Sequence, residues 1–136
     1  MNKTEIIKNN FSEIEKLTNI LDSISSENYL SQKITFSIKL AVEEMLTNII
    51  SFAYEDNAEH QITVIIDLID NMLNIIIIDD GKEFNPVEYD KTYFDKPFEE
   101  REKGGLGIHL VIKHIDKIIY NRVKGKNILT MKKTIF

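Results

Sequence analysis

The 136-residue chain contains no cysteine and no tryptophan, and only two prolines, three histidines and five glycines. Without cysteine there are no disulfides, no thiolate metal ligands and no thiol nucleophile, a composition that suits a reducing compartment. His60, His109 and His114 do not have the spacing of a zinc motif. Long apolar runs are also missing. The stretch Ile75–Ile78 falls far short of the ~18 residues that span a membrane, and Met1–Asn10 is polar, without the apolar centre of a signal peptide. Basic charge is in deficit: 22 acidic against 17 basic residues give a net charge of -5. A nucleic-acid backbone needs a concentrated basic surface, so it is excluded as a direct partner. The expectation is a soluble, cytoplasmic protein that contacts neither nucleic acid nor membrane.

What is present is the composition of an ordinary globular protein, 43% hydrophobic and 29% charged. The length suits one domain over residues 1–136, with room for a hydrophobic core. Phe11, Ile14, Leu17, Leu21 and Ile24 recur at helical intervals and predict a first helix, with Asn10 or Ser12 as its cap. A second helix is predicted from Leu30 or Ser31 to Tyr54, with Ile38, Ala41, Val42, Met45, Leu46, Ile49 and Ala53 along one apolar stripe. The β-branched runs Gln61–Ile69 and Met72–Ile78, separated by Asp70-Asn71, predict a hairpin. The second run is apolar on both faces and belongs at the centre of a sheet.

Residues 82–103 hold both prolines and show little periodicity, as expected of a lid with at most a helical turn or two. A helix then follows Gly107, with Ile108, Val111, Ile112, Ile115 and Ile119 as its apolar side. Strands at Lys117–Val123 and Asn127–Thr134 close the chain around Lys124-Gly125-Lys126. The fold class this implies is α+β: a two-layer sandwich with a mixed, mostly antiparallel sheet and helices on one face.

Three elements carry candidate chemistry. Glu44 and Asn48 are four residues apart, one turn above each other at the edge of the apolar stripe. Asp79-Asp80-Gly81 ends the central strand; a carboxylate there needs a strong donor, such as an exocyclic amine, and Gly81 lets a flat base approach the backbone. Gly104-Gly105-Leu106-Gly107 opens a helix whose free amides favour an anion. Each also has a plain structural reading: a solvated helix flank, an Asp-Gly turn, a hinge. No Lys-Ser or Lys-Thr follows the glycines, so this is not a P-loop, and no parallel βαβ unit makes it a dinucleotide fingerprint.

In chain order the three elements resemble the GHKL (Bergerat-fold) ATP-binding superfamily, and within it the bacterial anti-sigma-factor serine/threonine kinases. The N box is Ala41–Asn48 continuing through Ala53-Tyr54, the first glycine box Asp79–Pro86, and the second Gly104–Ile108. The resemblance implies ATP and Mg²⁺ as cofactors, with Asn48 as metal ligand and Glu44 as the general base. It implies that Asp79 and Gly81 meet adenine, that Gly104, Gly105, Leu106 and Gly107 cradle phosphates, and that Lys103 pairs with the terminal one. It further implies phosphorylation of a serine on a small anti-anti-sigma protein, sequestration of a sigma factor, and a homodimer. The chain departs from the pattern at Glu83, where a second glycine is usual, and at Phe52, read as packing. Two alternatives remain: an ATP-gated protein-binding module without kinase activity, and a detached histidine-kinase catalytic domain.

Overall fold

The computed structural model describes residues 1–101 and 105–136. The elements in order are β1 (Asn2–Lys8), α1 (Ser12–Glu27), α2 (Gln32–Phe52), β2 (Gln61–Ile69), β3 (Met72–Asp79), α3 (Pro86–Asp95), a 3-10 turn (Phe98–Glu100), α4 (Gly105–His114), β4 (Lys117–Val123) and β5 (Lys126–Thr134). The strands form one sheet in the order β1-β2-β3-β5-β4, and every neighbouring pair is antiparallel. The expected α+β sandwich is thus present with β3 at its centre, but the sheet is wholly antiparallel rather than mixed.

Strand periodicity decides which side chains enter the core. On β3, Leu73, Ile75, Ile77 and Asp79 are buried, while Met72, Asn74, Ile76 and Ile78 alternate with them on the other face and are only half-buried. The buried set meets Leu17, Leu21 and Ile24 of α1, Ile38, Val42, Met45 and Leu46 of α2, and Ile108 and Val111 of α4. Each such aliphatic side chain contributes about 1.5–3 kcal/mol on burial. The β4–β5 loop is two residues, Lys124 and Gly125, both at positive φ, as that connection demands.

Helix ends position the site. Ser31 caps α2 by accepting from the Ile34 N–H at 3.1 Å. Asn10 Oδ1 accepts from Ser12 N at 3.0 Å before α1. At the far end of α2, Ala53 closes the last turn on Ile49 O, and its own carbonyl accepts from Lys82 N at 2.9 Å. That bond ties the helix end to the segment leaving β3.

Several predicted boundaries move: α2 ends at Phe52 rather than Tyr54, and α4 begins at Gly105 rather than after Gly107. The segment 82–103 contains a ten-residue helix, α3, rather than isolated turns. Its start was signalled, since Asn85 Oδ1 accepts from the Val87 and Glu88 amides and Pro86 takes the first turn. Its weakly periodic aromatics hid the rest. Helix α1 runs on to Glu27, where Asn28 Nδ2 donates to Ile24 O at 2.8 Å. Ile119 belongs to β4, because α4 stops at His114.

Candidate functional site

Asp79 ends β3 on its inward phase and is 4% exposed. Its Oδ1 accepts from Gly81 N at 2.9 Å and from Asn127 Nδ2 at 3.0 Å, while Oδ2 takes no donor among the described residues. Burial pushes the carboxyl above the usual aspartate range. The bonds from Asn127 and Gly81 offset part of that shift, Asp80 adds to it, and Arg122 opposes it.

Gly81 is fixed by close approach. A Cβ there would lie 2.5 Å from the Ala53 Cβ and 2.8 Å from the Ala53 carbonyl oxygen, so the first glycine box packs directly on the end of α2. Arg122 Nη1 donates to the Gly81 carbonyl at 2.8 Å. Glu83 is exposed, and its φ is not positive. The backbone conformation at position 83 therefore does not call for glycine.

A cavity of about 50 Å³ runs from Asp79 between α2 and the segment after Gly81, lined by Asn48, Phe52, Phe84, Tyr120 and Asn127 among others. It brings Asn48 and Asp79 together. The volume suits one or two waters, so entry of anything larger requires the wall formed by Phe84 and Pro86 to move. Phe52, expected to pack, is 58% exposed at this cavity. A far larger depression, about 770 Å³, lies over α1 and α2 beside Tyr29, Phe36 and Lys39. It is shallow and touches none of the predicted site residues, so the smaller cavity is the relevant one.

Glu44, one turn before Asn48, places its carboxylate against the first turn of α4, where any Cβ on Gly107 would overlap Glu44 Oε2. No hydrogen bond or ion pair engages Glu44 among the described residues, which leaves its oxygens available to accept a proton. Gly105 lies on the ring of Tyr93 with no room for a side chain. Leu106 is 60% exposed, so this turn offers the site its backbone alone. The first amides of a helix lack intrahelical acceptors and attract negative charge. Lys103 and Gly104 lie outside the described residues. His109, in contrast, is engaged by Asp90 Oδ1 at 3.1 Å and by the Phe94 ring.

The residues can hold a nucleotide in chemical terms: a buried acceptor for an amine, a helix start for phosphate, and an amide oxygen on Asn48 between them. No group of three or more His, Cys, Asp or Glu among the described residues could hold a metal alone. A cation at Asn48 would take its other oxygens from phosphate and water.

Sequence reasoning missed Asn127, Tyr120 and Arg122. Asn127 faces Asp79 directly in the β3–β5 register and is 6% exposed. A signal existed, because Asn127, Leu129 and Met131 share one strand phase, and an amide on an apolar phase is an amide inside.

The serine-protein kinase RsbW of Oceanobacillus iheyensis is 28% identical over 99 residues, covering 70% of this chain and 63% of the relative. The RsbW of Bacillus mycoides is 30% identical over 99 residues, 70% of this chain and 61% of the relative. The chain thus spans less than two thirds of the length of these curated relatives. A crystal structure of the RsbU and RsbW domains of a Mycobacterium tuberculosis protein superposes with a TM-score of 0.72 at 12% identity, covering 99% of this chain and 32% of that one. A family model described as the histidine kinase-like ATPase domain matches residues 7–133. Nearly the whole chain is matched, and it belongs to that family.

Proposed function

We propose that this chain is a serine/threonine protein kinase of the GHKL type that binds ATP with Mg²⁺ and phosphorylates a serine of a small anti-anti-sigma protein. The observation that carries this reading is the convergence on one side of α2: Asn48 shares a cavity with the buried Asp79, and Glu44 meets the glycine turn of α4. The names of the relatives support the kinase class. In this reading residues 1–136 form one ATP-binding unit with residues 82–103 as its lid, and the protein acts in the cytoplasm to hold or release a sigma factor.

Asp79 and Gly81 receive the adenine. Gly104, Gly105, Leu106 and Gly107 offer amides to the phosphates, Lys103 pairs with the terminal one, and Asn48 ligates the cation. Bound ATP-Mg²⁺ supplies the transferable phosphoryl group and neutralises its charge. Glu44 accepts the proton of the substrate serine hydroxyl, its carboxylate taking no donor among the described residues.

The homodimer is assigned to the uncovered sheet face. Ile65, Ile76, Ile78 and Ile128 form apolar rows there, and Asp67, Asn74 and Lys132 lie side by side in one register row across β2, β3 and β5. A two-fold axis along β3 sets Asp67 against Lys132 of a second copy and Asn74 against its own counterpart. Asn74 Oδ1 is buried without a hydrogen-bond partner among the described residues.

Isothermal titration with ATP, in Mg²⁺ and then in EDTA, tests the site, and Glu44→Gln tests the base. The expected result is Mg²⁺-dependent binding in both forms, with phosphotransfer to the antagonist serine lower by at least about a hundredfold in the variant. Binding with no phosphotransfer in the native protein would leave an ATP-gated binding module. Undiminished transfer by Glu44→Gln would remove Glu44 from the role of base.

A further inference from the structure

We infer that Asn127 is a positioning residue that fixes which atom of residue 79 faces a bound base, and so sets the choice between amino- and oxo-purines. The inference rests on the nucleotide-binding reading above and deepens it.

Asn127 has no freedom left. Its Nδ2 donates to Asp79 Oδ1 at 3.0 Å and to the Lys82 carbonyl at 2.8 Å. Its Oδ1 accepts from Phe84 N at 3.3 Å and from the Tyr120 hydroxyl. Turning the amide over would set its oxygen against a carboxylate and a carbonyl, and its NH₂ against the Phe84 N–H. The amide is therefore held one way, by groups on β3, on β4 and on the segment after Gly81.

Asp79 receives two donors on one oxygen. Gly81 N and Asn127 Nδ2 both point at Oδ1, and Oδ2 has neither. In a carboxylate the two oxygens are chemically alike, so the lock is hidden in the native protein: whichever oxygen is left presents an acceptor. An acceptor suits a purine with an exocyclic amine, and it repels one with a carbonyl at the same carbon.

The lock becomes visible when residue 79 is an amide. In Asp79→Asn the amide oxygen must take the Oδ1 position, because two donors meet there. The NH₂ group is then left where the native acceptor stood. The variant should present a donor to the base and select the oxo-purine instead of losing nucleotide binding altogether. The reciprocal change at position 127 tests who gives the order. In the double variant Asp79→Asn/Asn127→Asp, the carboxylate at 127 attracts the NH₂ of position 79 more strongly than the single Gly81 amide attracts its oxygen. The amide at 79 turns, and an acceptor faces the base again.

The experiment is isothermal titration of ATP and inosine triphosphate, both with Mg²⁺, into the native protein and the two variants, with thermal melts to verify folding. The native protein should favour ATP by roughly tenfold or more, Asp79→Asn should favour inosine triphosphate by roughly tenfold, and the double variant should return to ATP. If folded Asp79→Asn keeps the native preference or binds neither nucleotide, the lock is refuted. If the double variant keeps the preference of Asp79→Asn, Asn127 does not position residue 79. A native protein that binds neither nucleotide would instead overturn the nucleotide reading itself, and this inference with it. Should Asp79→Asn fail to fold, Asn127→Asp alone decides. Two facing carboxylates must share a proton, so the ATP affinity of Asn127→Asp should vary with pH over a range displaced upward from that of the native protein, where Asp79 titrates alone. A flat or undisplaced profile in Asn127→Asp would overturn the inference.

Discussion

The base side and the phosphate side of this site are built in different ways. Asp79 and Asn127 stand on the central strands, Gly81 lies just beyond β3, and bonds of 2.8–3.0 Å join Asp79, Gly81, Asn127, Lys82 and Arg122. The proposed phosphate side, α3 with the first turn of α4, is held by ring contacts together with the Asp90–His109 bond. Tyr93 lies under Gly105, Tyr89 is tilted on Tyr93, Phe94 lies on His109, and the Arg101 guanidinium sits 5.0 Å from the Phe94 ring centroid. A hydrogen-bonded floor is rigid and directional; an aromatic roof packs well but slides. The contrast suits the proposed site, which would have to read one base and yet admit it.

The largest expected effect separates floor from roof. Ile77 and Tyr93 are both buried, yet Ile77→Ala should lower global stability by about 2–5 kcal/mol. Tyr93→Ala should chiefly release α3 and α4. Hydrogen exchange monitored by mass spectrometry would show faster exchange across the sheet for the first and only across residues 86–114 for the second. Sheet-wide loss of protection in Tyr93→Ala would mean that the two sides form one cooperative unit.

Two glycines sharpen the comparison. A methyl at Gly81 meets Ala53 backbone and Cβ, which have nowhere to go, so Gly81→Ala should cost about 1–3 kcal/mol and lower Tm by several degrees. A methyl at Gly107 meets the far end of the Glu44 side chain, which can swing aside. Gly107→Ala should leave Tm within a few degrees of native while lowering phosphotransfer, because the carboxylate is pushed from its place. Equal thermal losses in the two variants would erase the distinction.

The smallest effect is electrostatic. Burial raises the Asp79 pKa above its unfolded value, so within that window the folded chain keeps a proton the unfolded chain has released. The contribution of Asp79 to stability therefore falls as pH rises through its folded pKa, and the ionised group is a net cost at neutral pH. Asp116 is the opposite case. The Thr134 N–H and the Lys133 ammonium hold its pKa down, so its contribution is present at neutral pH and lost as pH falls through the folded value. Asp79→Asn should raise Tm modestly at pH 7, with the gain gone below about pH 4, whereas Asp116→Asn should lower Tm at pH 7. Thermal melts from pH 3 to 8 would check both signs.

The sequence read the floor better than the roof for a physical reason. The continuous apolar run Ile75–Ile78 marked the central strand, and the spacing of Ile38, Ala41, Val42, Met45 and Leu46 marked the buried face of α2. The helix α3 was only half legible. Its cap was written in Asn85-Pro86, but Tyr89, Tyr93 and Phe94 make contacts with α4 and with each other instead of forming a clean apolar stripe.

By itself, then, the sequence determined most of the elements but not α3, together with the central place of β3, the one-turn pairing of Glu44 with Asn48 and the glycine opening of α4, because these depend on local periodicity and backbone chemistry. Tertiary structure alone decided that Asn127 meets Asp79 across the strands, that Gly81 seats on Ala53 and that Gly107 abuts Glu44. Those contacts join residues 28 to 63 positions apart in the chain (79 to 127, 53 to 81, 44 to 107), a separation at which no local pattern reports a partner.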